Sequence, residues 1–92
     1  MRNNALKVNP ADNVAIVILP IRKGDPIIVQ DEILFNASQD IEPSHKVALT
    51  DINQGQFVVR YGEPIVQAMT AISRGQWVHV HNTQPIPGDP DK

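Results

Sequence analysis

Cysteine is absent from this chain of 92 residues, which excludes a disulfide framework and any thiolate metal site. Basic residues are few and scattered: eight Lys and Arg against ten Asp and Glu give a formal charge of −2, so no basic face is expected for nucleic-acid phosphates. The first thirty residues hold no basic start followed by an apolar run and a small-residue cleavage site, so a cytoplasmic location is the default expectation. With 41 % apolar and 20 % charged residues and few aromatics, the composition suits a soluble globular chain rather than a disordered or membrane-spanning one. Catalytic signatures are missing too. There is no Gly-rich phosphate cradle, no nucleophile elbow, no Cys–His pair and no helix long enough for a His-Glu-x-x-His zinc site. A complete active site within this chain is therefore not expected. At this length a single domain with a thin core is expected, burying roughly 60–65 % of the surface its unfolded chain exposes.

What is present is a cadence that occurs four times: Ile, two residues, Gly or Ser, two residues, then Ile or Val. It reads Ile21/Gly24/Ile27, Ile41/Ser44/Val47, Ile52/Gly55/Val58 and Ile72/Gly75/Val78. A shift of 31 positions lays residues 21–50 over 52–81 and superposes six identities: Ile21 on Ile52, Gly24 on Gly55, Glu32 on Glu63, Ala37 on Ala68, Ile41 on Ile72 and Val47 on Val78. The spacing predicts two similar halves whose equivalent apolar positions bury one another about a pseudo-two-fold axis.

The segments between the cadences read mainly as short strands. Asn13 to Leu19 is a β-branched run bounded by Asp12 and Pro20 and is expected as a buried strand. Ile27–Val29 and Glu32–Phe35 form the arms of a hairpin turning at Gln30 and Asp31, and Asn36–Ser44 is loop. Lys46–Leu49 and Phe57–Tyr61 extend again, with a turn at Gly55 between them. Pro64 places Ile65–Ala71 at a sheet edge or in a single helical turn. Gln76 to Asn82 alternates most cleanly, with Trp77, His79 and His81 on one face. Three spans follow: a loose N-terminus over 1–6, a folded domain over 7–82, and a Pro-rich tail or linker over 83–92.

The residues able to carry chemistry lie mostly in the second half. His79 and His81, two apart on an expected strand, project from one side, close enough to share a metal ion or a carboxylate; Asn82 follows them. Two imidazoles are one or two ligands short of a typical metal site, so His45, a carboxylate or a group from another polypeptide would have to complete it. The alternative is a solvated strand face beside Trp77. His45 and Lys46 open a strand at a rim and are suited to grip an anion, or are plain surface. Arg60 offers a two-pronged guanidinium and Tyr61 a phenol, unless Arg60 simply pairs with Glu63. Asp25, Asp31, Asp40 and Asp51 read as turn formers.

Asp12-Asn13-Val14-Ala15, His45-Lys46-Val47-Ala48-Leu49, Asp51-Ile52 with Gly55, Arg60-Tyr61-Gly62-Glu63 and Gly75-x-Trp77-Val78-His79-Val80-His81-Asn82 together resemble the SAF (antifreeze-like) domain of the altronate and galactarate dehydratase family. One position departs from that pattern: Val66 stands where the Arg-Tyr-Gly-Glu-x-Ile block of the family usually continues with Gly. The resemblance implies a small all-β domain of β-clip architecture with internal pseudo-two-fold symmetry and at most one short helix. It implies a role as the N-terminal segment or small subunit of a sugar-acid dehydratase, related to the small subunit of sulfolactate sulfo-lyases. The main catalytic body, dependent on a divalent iron-type metal, would then lie in a large C-terminal region or partner chain. In that scheme His45, His79 and His81 are the catalytic candidates, with His79 and His81 also the metal candidates. Lys46, Arg60, Tyr61 and Asn82 are the substrate-binding candidates. Three alternatives stay open: an assembly or regulatory module anchored by Trp77 and Phe57, a homodimer, and a stand-alone sugar-acid-binding module.

Overall fold

The hairpin expected over Ile27–Phe35 is present, and its repeat equivalent forms a second, each carrying its irregularity at the same place. The computed structural model describes residues 2–87. Nine short strands follow one another: β1 (Ala5–Leu6), β2 (Val14–Val17), β3 (Pro26–Val29), β4 (Glu32–Asn36), β5 (Lys46–Ala48), β6 (Phe57–Arg60), β7 (Glu63–Ala68), β8 (Trp77–Val78) and β9 (Thr83–Gln84). All pairings are antiparallel. A central sheet has the order β1-β2-β5-β8, β3 and β4 form one hairpin, and β6, β7 and β9 form a three-stranded sheet. The all-β class of the β-clip expectation is what the chain adopts, and β7 settles the segment after Pro64 as strand. Among the described residues no helix is long and apolar enough to cross a membrane.

The cadence is a structural unit. Its first positions, Ile21, Ile41, Ile52 and Ile72, are at most 1 % exposed, and they meet in two isolated bridges, Ile21 with Ile41 and Ile52 with Ile72. Its middle positions all have positive φ: 91° at Gly24, 76° at Ser44, 88° at Gly55 and 85° at Gly75. Their N–H groups donate to Ala37, Val17, Ala68 and Ala48 carbonyls at 2.8–2.9 Å. Gly75 admits no side chain, because a Cβ there would lie 2.9 Å from the Asn36 carbonyl oxygen. The third positions, Ile27, Val47, Val58 and Val78, are fully buried. Three buried positions at a fixed offset from a forced turn thus set the register that a β-strand alternation alone leaves free to slip.

The cores do not merge as the repeat suggests. Ile21, Ile27, Val29, Ala37, Ile41 and Val47 pack in one cluster with Ala5, Ala15 and Val17. Ile52, Val58, Ala68, Ile72 and Val78 pack in a second with Val14 and Ala48. Equivalent residues therefore bury themselves within their own half. The halves share the central sheet, whose strands β2 and β5 send alternate side chains to each cluster. Val66 packs half-buried against the second cluster.

Each hairpin contains a bulge, at Ile27/Ile28 and at Val58/Val59, positions related by the same shift of 31. The extra residues are Leu34 in β4 and Ile65 in β7, while Ile28 and Val59 stay paired with Ile33 and Pro64; the backbone N–H and C=O of Ile28 and Val59, opposite each bulge, need another partner. In the first half Asn4 supplies it. Its Oδ1 accepts from the Ile28 N–H at 2.8 Å, its Nδ2 donates to the Pro26 carbonyl at 2.8 Å, and its own N–H donates to the Ile28 carbonyl at 3.1 Å. In the second half Asn13 makes the equivalent bonds to Val59 (2.8 Å), Phe57 (2.9 Å) and Val59 (3.3 Å). The hairpin turns are held the same way. Asn3 Oδ1 accepts from the Asp31 N–H and Asp12 Oδ1 from the Gly62 N–H, both at 2.8 Å. Burial by itself would raise the Asp12 carboxyl, but the N–H groups of Gly62, Asn9 and Tyr61 and the Lys7 charge outweigh it and hold the pKa below the usual carboxylate value.

These bonds correct both expected boundaries. Residues 3–6 are not loose, because Asn3 and Asn4 hold the first hairpin and Ala5 and Leu6 pair with Val17 and Ile16. At the other end Thr83 and Gln84 extend the second hairpin by pairing with Ala68 and Gln67. The last part of the expected tail, 88–92, lies outside the described residues. Asn4→Ala and Asn13→Ala should each cost about 1–3 kcal/mol, since each strands the N–H of a bulge. Thermal unfolding followed by circular dichroism measures the loss, and Asn→Asp replacements, which keep the acceptor, should lose less.

Candidate functional site

At the end of β8 the strand stops earlier than the alternation predicts. Val78 is its last residue, and His79–Asn82 form a turn in which the Asn82 N–H donates to the His79 carbonyl at 3.1 Å. Asn82 causes the break. Its Oδ1 accepts from the His79 N–H at 2.9 Å and its Nδ2 donates to the Trp77 carbonyl at 2.8 Å, so the side chain takes the bonds that a neighbouring strand would make. Asn82 is 3 % exposed and both its side-chain polar atoms are engaged. This corrects the substrate-binding expectation for Asn82: it braces the turn.

The turn nonetheless gathers the three imidazoles, around Trp77. His79 stacks on the indole with centroids 4.9 Å apart and planes at 14°, and His81 lies 4.8 Å from it at 40°. His45 approaches from β5, with its centroid 5.3 Å from the indole and 5.1 Å from His79. Trp77 Nε1 donates to His45 Nδ1 at 3.0 Å. The backbone of Trp77 is itself fixed, because its N–H donates to Gln39 Oε1 at 2.8 Å.

His45 is where the repeat breaks its own rule. The residue four after the cadence isoleucine is Asp25, His45, Gln56 or Gln76. Asp25, Gln56 and Gln76 each fold back to accept from the N–H three residues earlier, at 2.8–2.9 Å. His45 instead bonds across to Trp77, and this leaves an imidazole at the surface where the other copies close a turn.

His45 and Trp77 also line a cleft of about 260 Å³ together with Asp40 and Glu42. Arg22 Nη1 lies 3.2 Å from Glu42 and 3.9 Å from Asp40, but these pairs are about 60 % exposed and contribute little to stability. The two carboxylates make the cleft a poor place for a ligand carboxylate and a good one for hydroxyl groups, which donate to them.

Lys46 lies near enough to the imidazole cluster for its charge to act on His79, whereas Arg60 and Tyr61 make no ring contact or hydrogen bond with the imidazoles among the described residues. Alternation along β5 puts Lys46 on the side of Ala48 and the second core, opposite Val47 and the first. Burial and then the Arg60 charge lower the Lys46 pKa from the ordinary lysine value, so these two cations neighbour one another. Arg60 Nη2 donates to the Tyr61 hydroxyl at 2.7 Å and the guanidinium lies 4.5 Å over the Tyr61 ring, while its buried Nε has no partner. Among the described residues the ion pairs are those of Arg22, so the expected alternative of an Arg60–Glu63 pair is absent.

Among the described residues no three His, Asp or Glu side chains form a group that could hold a metal ion. The imidazoles are organised by ring contact with Trp77, and one His45 nitrogen is already bonded to it. The donor set of the described residues does not make a metal cage by itself.

Sequence reasoning passed over Asn3 and Asn4, the acidic wall of Asp40 and Glu42, and Trp77 as the centre of the cluster. The first of these has a visible signal, since Asn3-Asn4-Ala5 is echoed nine residues later as Asp12-Asn13-Val14.

Residues 3–85 match the family model described as altronate/galactarate dehydratase SAF domain, a span that begins at the first residue holding the first hairpin. The chain is 37 % identical over 87 residues to altronate dehydratase of Escherichia coli K12, across 95 % of this chain and 17 % of that protein. It is 37 % identical over 75 residues to the galactarate dehydratase (L-threo-forming) of the same organism, across 79 % of this chain and 14 % of that one. It is also 32 % identical over 59 residues to the (2R)-sulfolactate sulfo-lyase subunit alpha of Chromohalobacter salexigens, across 63 % of each. The chain thus spans about one sixth of the length of the dehydratases it matches.

Burial, followed by the charges of His45, Lys46 and His81, holds the His79 pKa below the usual histidine value. A folded-state pKa below the unfolded one favours the neutral ring. The contribution to stability is therefore full above about pH 6.5 and declines as pH falls through that value. Urea midpoints measured from about pH 8 to about pH 5.5 should fall on acidification, and His79→Gln should flatten that slope.

Proposed function

Because the chain belongs to the altronate/galactarate dehydratase SAF domain family, we propose that it is the accessory part of a sugar-acid dehydratase, presenting an imidazole rim to an active site completed by a larger catalytic part. The observation that carries this reading is the meeting of His45, His79 and His81 around Trp77, although they come from two strand ends far apart in sequence. The small fraction of the dehydratases that this chain spans supports the existence of such a catalytic part, as a C-terminal region or a partner chain.

Dehydration of a sugar acid removes a proton beside the carboxylate and expels a hydroxyl group. Imidazoles titrate near neutrality and suit the second task, holding or delivering a proton at the leaving oxygen. The hydroxylated chain of the substrate lies along the cleft formed by Trp77, His45, Asp40 and Glu42. Its carboxylate points away from those acids, toward cations of the catalytic part. A divalent iron-type metal, where the complete enzyme uses one, would take its principal ligands from that part, since the described residues of this chain do not supply a three-residue set.

Lys46 and Arg60 are assigned to the contact with the catalytic part. They neighbour each other without a carboxylate partner among the described residues, and the buried Arg60 Nε lacks an acceptor. A carboxylate brought by the catalytic part would satisfy both. Phe57 and Tyr61, 43 % and 56 % exposed on the same hairpin, enlarge that surface.

The test uses the complete enzyme, this chain together with its catalytic part, turning over altronate and galactarate. His79→Ala combined with His81→Ala should lower kcat by about 10²–10⁴-fold, the usual range for losing a proton-transfer group. Unchanged turnover would make the chain an assembly module.

A further inference from the structure

An indole N–H can only donate a hydrogen bond, and a neutral imidazole has one donating and one accepting nitrogen. The 3.0 Å bond from Trp77 Nε1 to His45 Nδ1 therefore requires Nδ1 to be unprotonated, which leaves the ring proton on Nε2. The ring centroids lie 5.3 Å apart with the planes at 66°.

The donor is held in place from several directions. Trp77 pairs with Val47 in the central sheet, and Gln39 accepts from its N–H at 2.8 Å. Asn82 donates to its carbonyl at 2.8 Å, and His79 and His81 rest on the indole at 4.9 and 4.8 Å. A ring so fixed delivers its N–H to one point. His45 is also the one residue among its four repeat equivalents that gives up the local turn bond in order to receive that N–H.

We infer that Trp77 is a positioning residue for His45: its indole N–H fixes the Nε2–H tautomer, so that His45 meets a ligand hydroxyl in the cleft as a hydrogen-bond donor. The cleft complements this. His45 supplies the donor, and Asp40 and Glu42 supply acceptors on the facing wall, so a hydroxyl between them has both its oxygen and its proton satisfied. A ligand rich in hydroxyls is selected over an apolar one of the same size, since that one would offer no partner to the His45 Nε2–H. The functional half of this inference rests on the sugar-acid reading above, whereas the tautomer is a property of this chain alone and is measured without turnover.

The experiment is nitrogen NMR on the uniformly ¹⁵N-labelled 92-residue chain at a pH where His45 is neutral. A coupling across the hydrogen bond from Trp77 Nε1 to His45 Nδ1 is expected, with the His45 proton on Nε2. Trp77→Phe keeps a ring for His79 and His81 to stack on but removes the N–H. In that variant the Nδ1–H tautomer of His45 should rise several-fold, and those of His79 and His81 should stay as they were. Absence of the coupling, a proton on Nδ1 in the parent chain, or an unchanged tautomer ratio in Trp77→Phe would overturn the inference. The coupling is read in the parent chain, so a poorly folding variant does not remove the test.

Discussion

An asparagine side chain bonded to the backbone of a β-bulge holds each half of this domain together. The bulges skip Leu34 and Ile65, and Asn4 and Asn13 engage the backbone of the facing strands, at Pro26 and Ile28 and at Phe57 and Val59, with a carboxamide that both accepts and donates. Because each asparagine immediately precedes a segment of the central sheet, the same bonds fasten a hairpin to that sheet. Each hairpin then closes one of the two small cores. In a domain whose surface is large relative to its interior, polar clamps of this kind do work that a larger apolar core would otherwise do.

The candidate site follows from departures from that symmetry. In three of the four cadences the residue four after the isoleucine seals its own turn, and in the remaining one it is His45. Three of the four middle positions are glycine, and Ser44, beside His45, is the exception with φ of 76°. The last strand of the central sheet, β8, is cut short by Asn82, which turns His79 and His81 back over Trp77 rather than letting them run on along a sheet edge. Local structure that breaks the rule of its own repeat marks where a fold has been adapted for a ligand or partner.

Much of this is legible in the sequence because it is local. The cadence predicts buried first and third positions and a forced turn between them, and the Gln30–Asp31 turn follows from its flanking strands; φ there is 53° and 62°. What is not legible acts at long range. Asn4 and Asn13 reach bulges 24 and 46 residues away, and no periodicity encodes such a bond. The alternation of Trp77, His79 and His81 imitates a strand and is overridden by one amide at Asn82. The convergence of His45 with His79 depends on the pairing of Lys46 with Val78, which a single sequence does not reveal. The side of β5 on which Lys46 lies likewise depends on which core each face of that strand serves.

The family assignment and the geometry meet in one claim: the imidazole rim at the end of the central sheet works on a polyhydroxylated ligand in company with a larger catalytic part. The most direct measurement is a crystal structure of the complete enzyme, this domain with its catalytic part, holding a sugar acid or an unreactive analogue. The account expects the hydroxylated chain of the ligand between Trp77 and the Asp40–Glu42 wall, with His45 within hydrogen-bond distance and the catalytic part covering His79 and His81. A ligand seated away from all three imidazoles, with the rim open to solvent, would contradict it.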